Sequence, residues 1–128
     1  MNYFITLLKS KISGCSVTSL NLRYEGSISI DATIAKSAEL RPGELVHVLN
    51  LSNGTRIETY VIYAPENSGI IELNGPAARI ALIGDELIIL AYALVPISEK
   101  GVIVTPVVKV DKNTNKIIEV RREVFHFP

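Results

Sequence analysis

Histidine and cysteine are scarce in this sequence of 128 residues, which has one cysteine, Cys15, and two histidines, His47 and His126. A lone cysteine cannot form a disulfide within the chain, which fits a reducing compartment. Because a zinc cluster of cysteine and histidine ligands cannot be assembled from so few residues, we expect no metal site. We interpret Cys15 as a small buried hydrophobe, His47 as a strand residue without chemistry and His126 as solvated.

An excess of charge of either sign is also missing, because 13 lysines and arginines balance 13 aspartates and glutamates. The few aromatic residues are not interleaved with positive charge, which argues against nucleic-acid binding. The longest apolar run, residues 87–97, is far shorter than the roughly 20 residues of a membrane-spanning helix. The N-terminus lacks the basic segment of a signal peptide. We therefore expect a cytoplasmic protein with no nucleic-acid or membrane partner.

Strand patterns dominate the rest of the chain. Residues 46–64 contain two β-rich runs around Asn53-Gly54, the strongest short hairpin signal. Residues 102–127 repeat this pattern around a polar turn. Residues 85–95 form an apolar run without glycine or proline, which predicts a buried strand.

Helical signals are short. Asp31 is suited to cap a helix in residues 32–40, and Pro76 occupies the first position of a second candidate that would end at Gly84. No linker or internal repeat divides the chain. Many strands and two short helices predict a single domain, residues 1–128, that forms a closed or nearly closed β-barrel.

The dipeptide Gly26-Ser27, in the stretch YEGSI, would by itself predict only a turn. A Ser-His-Asp hydrolase is weakly supported, since neither histidine accompanies a G-x-S-x-G elbow. A strained Gly-Ser bond permits a different reaction, in which the serine hydroxyl attacks the preceding carbonyl carbon and moves the acyl group from nitrogen to oxygen. Elimination and hydrolysis would then leave a pyruvoyl group at a new N-terminus.

Four segments of the chain, taken in sequence order, favour the self-cleavage interpretation of Gly26-Ser27 over a simple turn. They are KSKI at 9–12, LNLRYEGSISID at 20–31, NGTRIETYVI at 53–62 and NGPAARIALIGDELIIL at 74–90. Together they resemble the pyruvoyl-dependent aspartate decarboxylase family, whose members make β-alanine for pantothenate. The resemblance covers most of residues 1–95 and extends loosely beyond them. It implies a six-stranded double-psi β-barrel with short helices, assembled as a homotetramer with active sites between subunits.

The resemblance also implies how the cofactor arises. The precursor is expected to cut itself between Gly26 and Ser27, giving a β chain, 1–26, and an α chain, 27–128. Ser27 then becomes the pyruvoyl group, which forms a Schiff base with the amine of L-aspartate. This electron sink accepts the electron pair left when CO2 departs, so no metal is needed.

Roles for the surrounding residues follow from the same resemblance. Arg56 is expected to clamp a substrate carboxylate, Tyr60 to protonate the product carbanion, and Thr59 to support self-cleavage at Gly26 and contact substrate. Without the resemblance these three would be ordinary strand residues. The remaining implied residues are five that bind substrate, Lys11, Asn74, Gly75, Pro76 and Ala77, and Tyr24, which shapes the site.

Strand alternation complicates this assignment. It sends Arg56 and Tyr60 to one face and Thr59 to the other, and places the first two about 13 Å apart. A β-bulge, or an active site shared between subunits, would reconcile the pattern with a common site.

Two positions depart from the family pattern. Ser13 stands where many relatives carry a histidine, and Pro76 replaces an alanine and therefore lacks a backbone N–H. Two alternatives to aspartate decarboxylation also stay open. One is the same chemistry on another acidic amino acid such as glutamate, and the other is an uncleaved double-psi barrel that serves assembly or peptide binding.

Overall fold

Strands make up most of the protein in the computed structural model, which describes residues 3–98 and 100–127. The described residues contain one α-helix, α1 (Ala32–Ser37), and one 3-10 helix (Gly75–Arg79). The nine strands are β1 (Phe4–Ser16), β2 (Ser19–Asn21), β3 (Ser27–Asp31), β4 (Leu45–Asn50), β5 (Arg56–Ala64), β6 (Ile71–Asn74), β7 (Glu86–Pro96), β8 (Gly101–Val110) and β9 (Ile117–Phe127). The predicted mainly β class is confirmed, while the outermost ends of the predicted domain 1–128 lie outside the described residues.

The strands follow the order β2-β6-β3-β5-β4-β7-β1-β8-β9. Both predicted hairpins are confirmed, since β4 pairs with β5 and β8 pairs with β9, each in antiparallel fashion. Three pairs are parallel instead: β1 with β8, β2 with β6, and β3 with β5. Parallel neighbours require crossover connections, so strands that are adjacent in the sheet are often far apart in the sequence.

The core lies on the inner face of this sheet. Leu87, Ile89 and Ala91 of β7 are buried, whereas Ile88 and Leu90 point to the opposite face and are only partly buried. Full burial of a large aliphatic side chain contributes roughly 1.5–3 kcal/mol, so this row is a main source of stability. The predicted strand is therefore confirmed, but only one of its apolar faces lies in the core.

Both predicted helices are present, and both are shorter than expected, since α1 ends at Ser37 rather than at Leu40. Asp31 caps α1 by accepting a hydrogen bond from the Thr33 N–H at 2.8 Å. The 3-10 helix ends at Arg79 rather than continuing to Gly84. The reason is a competing turn, in which the Asp85 carboxylate accepts the Leu82 N–H at 2.9 Å. Such local side-chain bonds to the backbone favour turns over helix.

The same carboxylate ties this turn to β4. The Asn50 amide donates to Asp85 Oδ2 at 2.9 Å. The Leu82 N–H first, and the Asn50 amide second, lower the pKa of Asp85 below its ordinary value, since both stabilise the charged form.

Cys15 is fully buried, as predicted, and its thiol donates to the Leu87 carbonyl at 3.5 Å. Burial raises the pKa of this thiol to about 12, which keeps it protonated and unreactive at neutral pH. Within residues 3–98 and 100–127, no helix is long and apolar enough to cross a membrane.

Candidate active site

The Gly26-Ser27 pair lies where the connection from β2 enters β3. Tyr24 and Glu25 are exposed, but Ser27, the first residue of β3, is 0% exposed. In the ladder between β3 and β6, Ser27 lies opposite Asn74. The pair is therefore not a surface turn, because the chain passes from an exposed loop into the protein interior at the bond that joins the two residues.

Asn74 provides the side-chain contact to Ser27. Its Nδ2 donates to Ser27 Oγ at 2.8 Å and to Ser29 Oγ at 3.0 Å. Its Oδ1 is buried and has no hydrogen-bond partner among the described residues. A buried acceptor without a partner costs roughly 1–3 kcal/mol, so this oxygen calls for a water or a ligand group as its partner.

Gly75, at the start of the 3-10 helix, packs against the backbone of residues 24–26, the predicted cleavage loop. Its φ is +64°, and a Cβ at this position would lie 2.7 Å from both the Gly26 nitrogen and the Tyr24 carbonyl oxygen. Only glycine fits this approach and this dihedral angle. The side chain of Asn74 does not cap the helix, since it is turned towards Ser27 instead.

A cavity of about 250 Å³ opens beside Gly26. Four of the residues assigned from the sequence line it, namely Gly26, Thr59, Pro76 and Ala77, together with Ile57, Glu58 and Ile80. The predicted self-cleavage and substrate-binding residues from three separate segments are therefore brought to one place.

A larger cavity, of about 470 Å³, lies elsewhere, at the start of α1. Its buried carboxylate, Asp31, already accepts the backbone N–H groups of Thr33, Asn67 and Gly69. Because this carboxylate is engaged by the fold itself, we assign it a structural role and take the cavity beside Gly26 as the candidate active site.

The alternation expected along β5 is confirmed. Arg56, Glu58 and Tyr60 are exposed, whereas Ile57 and Thr59 are partly buried. The ladder between β4 and β5 runs without a bulge through these described residues. A β-bulge therefore does not bring Arg56, Thr59 and Tyr60 to one side of the strand.

Tyr60 and Arg56 nevertheless have different neighbours. The parallel ladder of β3 and β5 begins with Ile28 opposite Val61, so Ser27 and Tyr60 are the residues immediately before that pair. Their side chains leave the same face of the sheet. Arg56 lies at the start of β5, four residues before Tyr60, and lines another cavity, of about 390 Å³.

The guanidinium of Arg56 is held by two side chains. Its Nε donates to His47 Nδ1 at 3.3 Å, and its Nη2 donates to the Tyr92 hydroxyl at 3.1 Å. His47 is a strand residue, as expected, and its contact with Arg56 was not predicted. The Asn53-Gly54 turn was the available signal, since it sets a register that places His47 near Arg56 across the hairpin.

Lys11 shares the outer face with this group. It lies opposite Leu90 of β7, and Leu90 lies opposite His47 of β4. Two strand spacings, roughly 10 Å, thus separate the backbones of Lys11 and His47. Within one chain, Lys11 and Arg56 share a sheet face but do not reach the cavity beside Gly26, which neither of them lines.

The sequence is similar to a family of known enzymes. The family model for aspartate decarboxylase matches residues 3–118. The chain belongs to the aspartate decarboxylase family. This confirms the resemblance drawn from the four sequence segments and extends it through β8 to the start of β9.

Individual members of the aspartate decarboxylase family match most of the chain. Aspartate 1-decarboxylase of Pelotomaculum thermopropionicum is 48% identical over 125 residues, covering 98% of this chain and 94% of the relative. The Carboxydothermus hydrogenoformans enzyme of the same name is 46% identical over 123 residues, covering 96% of both chains. The Coxiella burnetii enzyme is 55% identical over 97 residues, covering 75% of this chain and 87% of its own.

The two departures from the aspartate decarboxylase pattern occupy different regions. Ser13 lies on β1 opposite Ile88, on the outer face that carries Lys11. Pro76 lines the cavity beside Gly26, where it contributes no backbone donor. Neither substitution alters the Gly26-Ser27 pair or its contact with Asn74.

Proposed function

We propose that this protein removes the α-carboxylate of L-aspartate as CO2 and releases β-alanine for pantothenate synthesis, using a pyruvoyl group made from Ser27. One observation carries the proposal. In a chain of the aspartate decarboxylase family, the Gly26-Ser27 pair is intact, with Ser27 buried and hydrogen-bonded to Asn74. We place the reaction in the cytoplasm, where a lone thiol such as Cys15 stays reduced.

Maturation begins when the Ser27 hydroxyl attacks the Gly26 carbonyl carbon. The peptide C–N bond breaks, its nitrogen takes up the proton, and an ester joins the two residues. Loss of the Ser27 α-proton then expels the Gly26 carboxylate and leaves dehydroalanine. Water converts this group to the pyruvoyl group and releases ammonia. The products are a β chain, 1–26, and an α chain, 27–128.

The surroundings of Ser27 fit a pyruvoyl group. In the uncleaved chain Asn74 Nδ2 donates to Ser27 Oγ, and the same amide can donate to the carbonyl oxygen that water adds at this residue. Gly75 leaves room for the backbone of the cleavage loop. When present, the pyruvoyl group supplies a carbonyl that binds the substrate amine covalently and accepts the electrons left by the departing CO2.

Two residues of β5 act on the reacting atoms from within the same chain. Thr59 lines the cavity beside Gly26, and its hydroxyl supports the Gly26 carbonyl during cleavage. Tyr60 leaves the same sheet face as Ser27, one strand away, and its phenol donates the proton that completes β-alanine. The backbone of Gly75 and Ala77 borders the substrate, while Pro76 and Tyr24 shape the cavity.

Lys11 and Arg56 bind the substrate carboxylates from a neighbouring subunit. Within one chain neither of them lines the cavity beside Gly26, and Arg56 lines a different cavity, so we propose that a second copy brings the two halves together. Exposed and partly buried apolar residues on this face, such as Leu45 and Ile88, suit a subunit contact. We infer a homotetramer with shared active sites, built on a six-stranded double-psi β-barrel.

Intact mass of the purified protein tests the proposal. We expect two fragments that correspond to 1–26 and 27–128, and a carbonyl on the larger fragment that hydrazine or borohydride traps. Ser27→Ala should stay whole and release no CO2 from aspartate, whereas the control Ser37→Ala should mature normally. A wild-type protein that stays uncleaved after prolonged warming, or a Ser27→Ala variant that remains active, would refute the mechanism. Parallel assays with aspartate and glutamate identify the preferred substrate.

A further inference from the structure

The contacts of Arg56 leave one edge of its guanidinium open. An arginine binds a carboxylate through two parallel N–H groups, either along the side that carries Nε or at the end formed by Nη1 and Nη2. Here the Nε–H is taken by His47 and one Nη2–H by Tyr92. The side edge is therefore occupied by the protein, while within residues 3–98 and 100–127 no hydrogen bond joins both nitrogens of the end edge, and the Arg56 side chain is exposed.

The imidazole of His47 is itself fixed by its neighbours. Because Nδ1 accepts from Arg56, it carries no proton, and the proton of the neutral ring lies on Nε2. That nitrogen lies 3.4 Å from Glu58 Oε1. The ring also packs edge-on against Tyr92, with centroids 5.1 Å apart and an interplanar angle of 79°. Glu58 and Tyr92 thus fix the orientation of the His47 ring. In turn, His47 Nδ1 and the Tyr92 hydroxyl fix the orientation of Arg56 as its two acceptors.

We propose that His47 and Tyr92 are positioning residues that turn the end edge of Arg56 towards a substrate carboxylate. This inference rests on the proposed function, in which Arg56 clamps the substrate. A flexible arginine loses rotamer freedom when it binds, and two acceptors that hold it in place beforehand reduce that loss. The expected signature is weaker substrate binding with little change in the chemical step.

Kinetics of fully matured variants test this inference. His47→Ala and Tyr92→Phe should each raise KM for aspartate roughly tenfold and leave kcat within about twofold, because each removes one hydrogen bond to a charged group. His47→Gln, whose side-chain oxygen can replace Nδ1 as acceptor, should restore most of the lost affinity. His126→Ala is the matched control, since His126 is exposed on β9, and it should leave both constants unchanged.

A double-variant comparison separates the two proposals. In an Arg56→Ala background, His47→Ala should have no further effect on KM, since the residue that it positions is absent. If Arg56→Ala itself leaves KM unchanged, the clamp in the proposed function is wrong. If Arg56→Ala raises KM but His47→Ala and Tyr92→Phe do not, or if their effects add to it, the positioning role is overturned. Equal self-cleavage by gel and equal unfolding midpoints establish that the variants fold.

Discussion

The surroundings of Ser27 and those of Arg56 differ in how they are built. Around Ser27, the backbone of Gly75 packs on the cleavage loop and a buried amide holds the hydroxyl. Around Arg56, partly exposed side chains hold one another on an open sheet face. The contacts described for the first region all lie within one chain, which suits the proposed self-cleavage. The second is open to solvent, which suits a ligand and another subunit.

The largest expected effect tests the backbone packing around Ser27. In Gly75→Ala, the added Cβ would meet the Gly26 nitrogen at 2.7 Å in a backbone of positive φ. We expect a loss of roughly 2–4 kcal/mol in the free energy of unfolding and little or no self-cleavage. Denaturant unfolding and a denaturing gel measure the two effects.

Gly54→Ala is the matched control for this change. Gly54 also has a positive φ, of +75°, but a Cβ there meets nothing within 4 Å. We expect a cost of about 1 kcal/mol and normal maturation. Equal effects of the two variants would show that dihedral strain alone, rather than contact with the cleavage loop, explains the glycine at position 75.

Mixed assemblies test whether the two regions belong to different subunits. Arg56→Ala should lower kcat/KM roughly 100-fold, since a bidentate contact to a carboxylate is lost. When it is co-expressed with inactive Ser27→Ala, activity should reappear, because some sites then combine an intact Ser27 with an intact Arg56. CO2 release from isolated hybrids measures this recovery, and its absence would place Arg56 and Ser27 in the same subunit.

Tyr60→Phe sharpens the same experiment. It should mature normally and lose activity on the order of 100-fold, because the proton donor is missing. Since Tyr60 lies next to Ser27 of its own chain, co-expression with Ser27→Ala should not restore activity. Recovery in this pairing would contradict the placement of Tyr60.

A smaller effect is expected at Ser29. Its hydroxyl accepts the second N–H of Asn74, so Ser29→Ala should loosen the amide that holds Ser27. At about 1 kcal/mol per hydrogen bond, self-cleavage should slow roughly fivefold. The time course of fragment formation by gel measures the rate. Ser37→Ala, which removes a serine hydrogen bond in α1 instead, should leave the rate unchanged.

The smallest effect concerns Asp85, whose pKa is lowered in the folded protein. A group with a lowered pKa stabilises the fold above its ordinary pKa, and this contribution disappears as the pH falls through the folded value. Asp85→Asn should therefore be less stable than wild type at neutral pH, and the gap should narrow in acid. Denaturant midpoints at both pH values test this, and a gap that does not change with pH would contradict it.

Local signals in the sequence predicted the local structure well. The Asn53-Gly54 hairpin, the Asp31 cap and the alternation along β5 each depend on residues close together in the chain. The end of the 3-10 helix was missed, because the hydrogen bond from Leu82 to Asp85 competes with a pattern that is acceptable for a helix.

Contacts between distant segments were harder to predict. The approach of Gly75 to Gly26 depends on the pairing of β3 with β6, and the contact of Arg56 with Tyr92 depends on β7 lying beside β4. Strand order is a long-range property that residue patterns do not encode. The resemblance to the aspartate decarboxylase family supplied the relevant residues, but it did not show that they fall into two separate regions of one chain.

Strand β1 belongs to the short piece, residues 1–26, that a cut after Gly26 would produce. β1 pairs with β7 from Phe4 to Ser16 and is also hydrogen-bonded to β8. The short N-terminal piece therefore contributes an interior strand of the sheet. We therefore expect cleavage after Gly26 to change the number of polypeptides without releasing either one. The two pieces should co-purify through every native step and separate only when the sheet itself is dissolved.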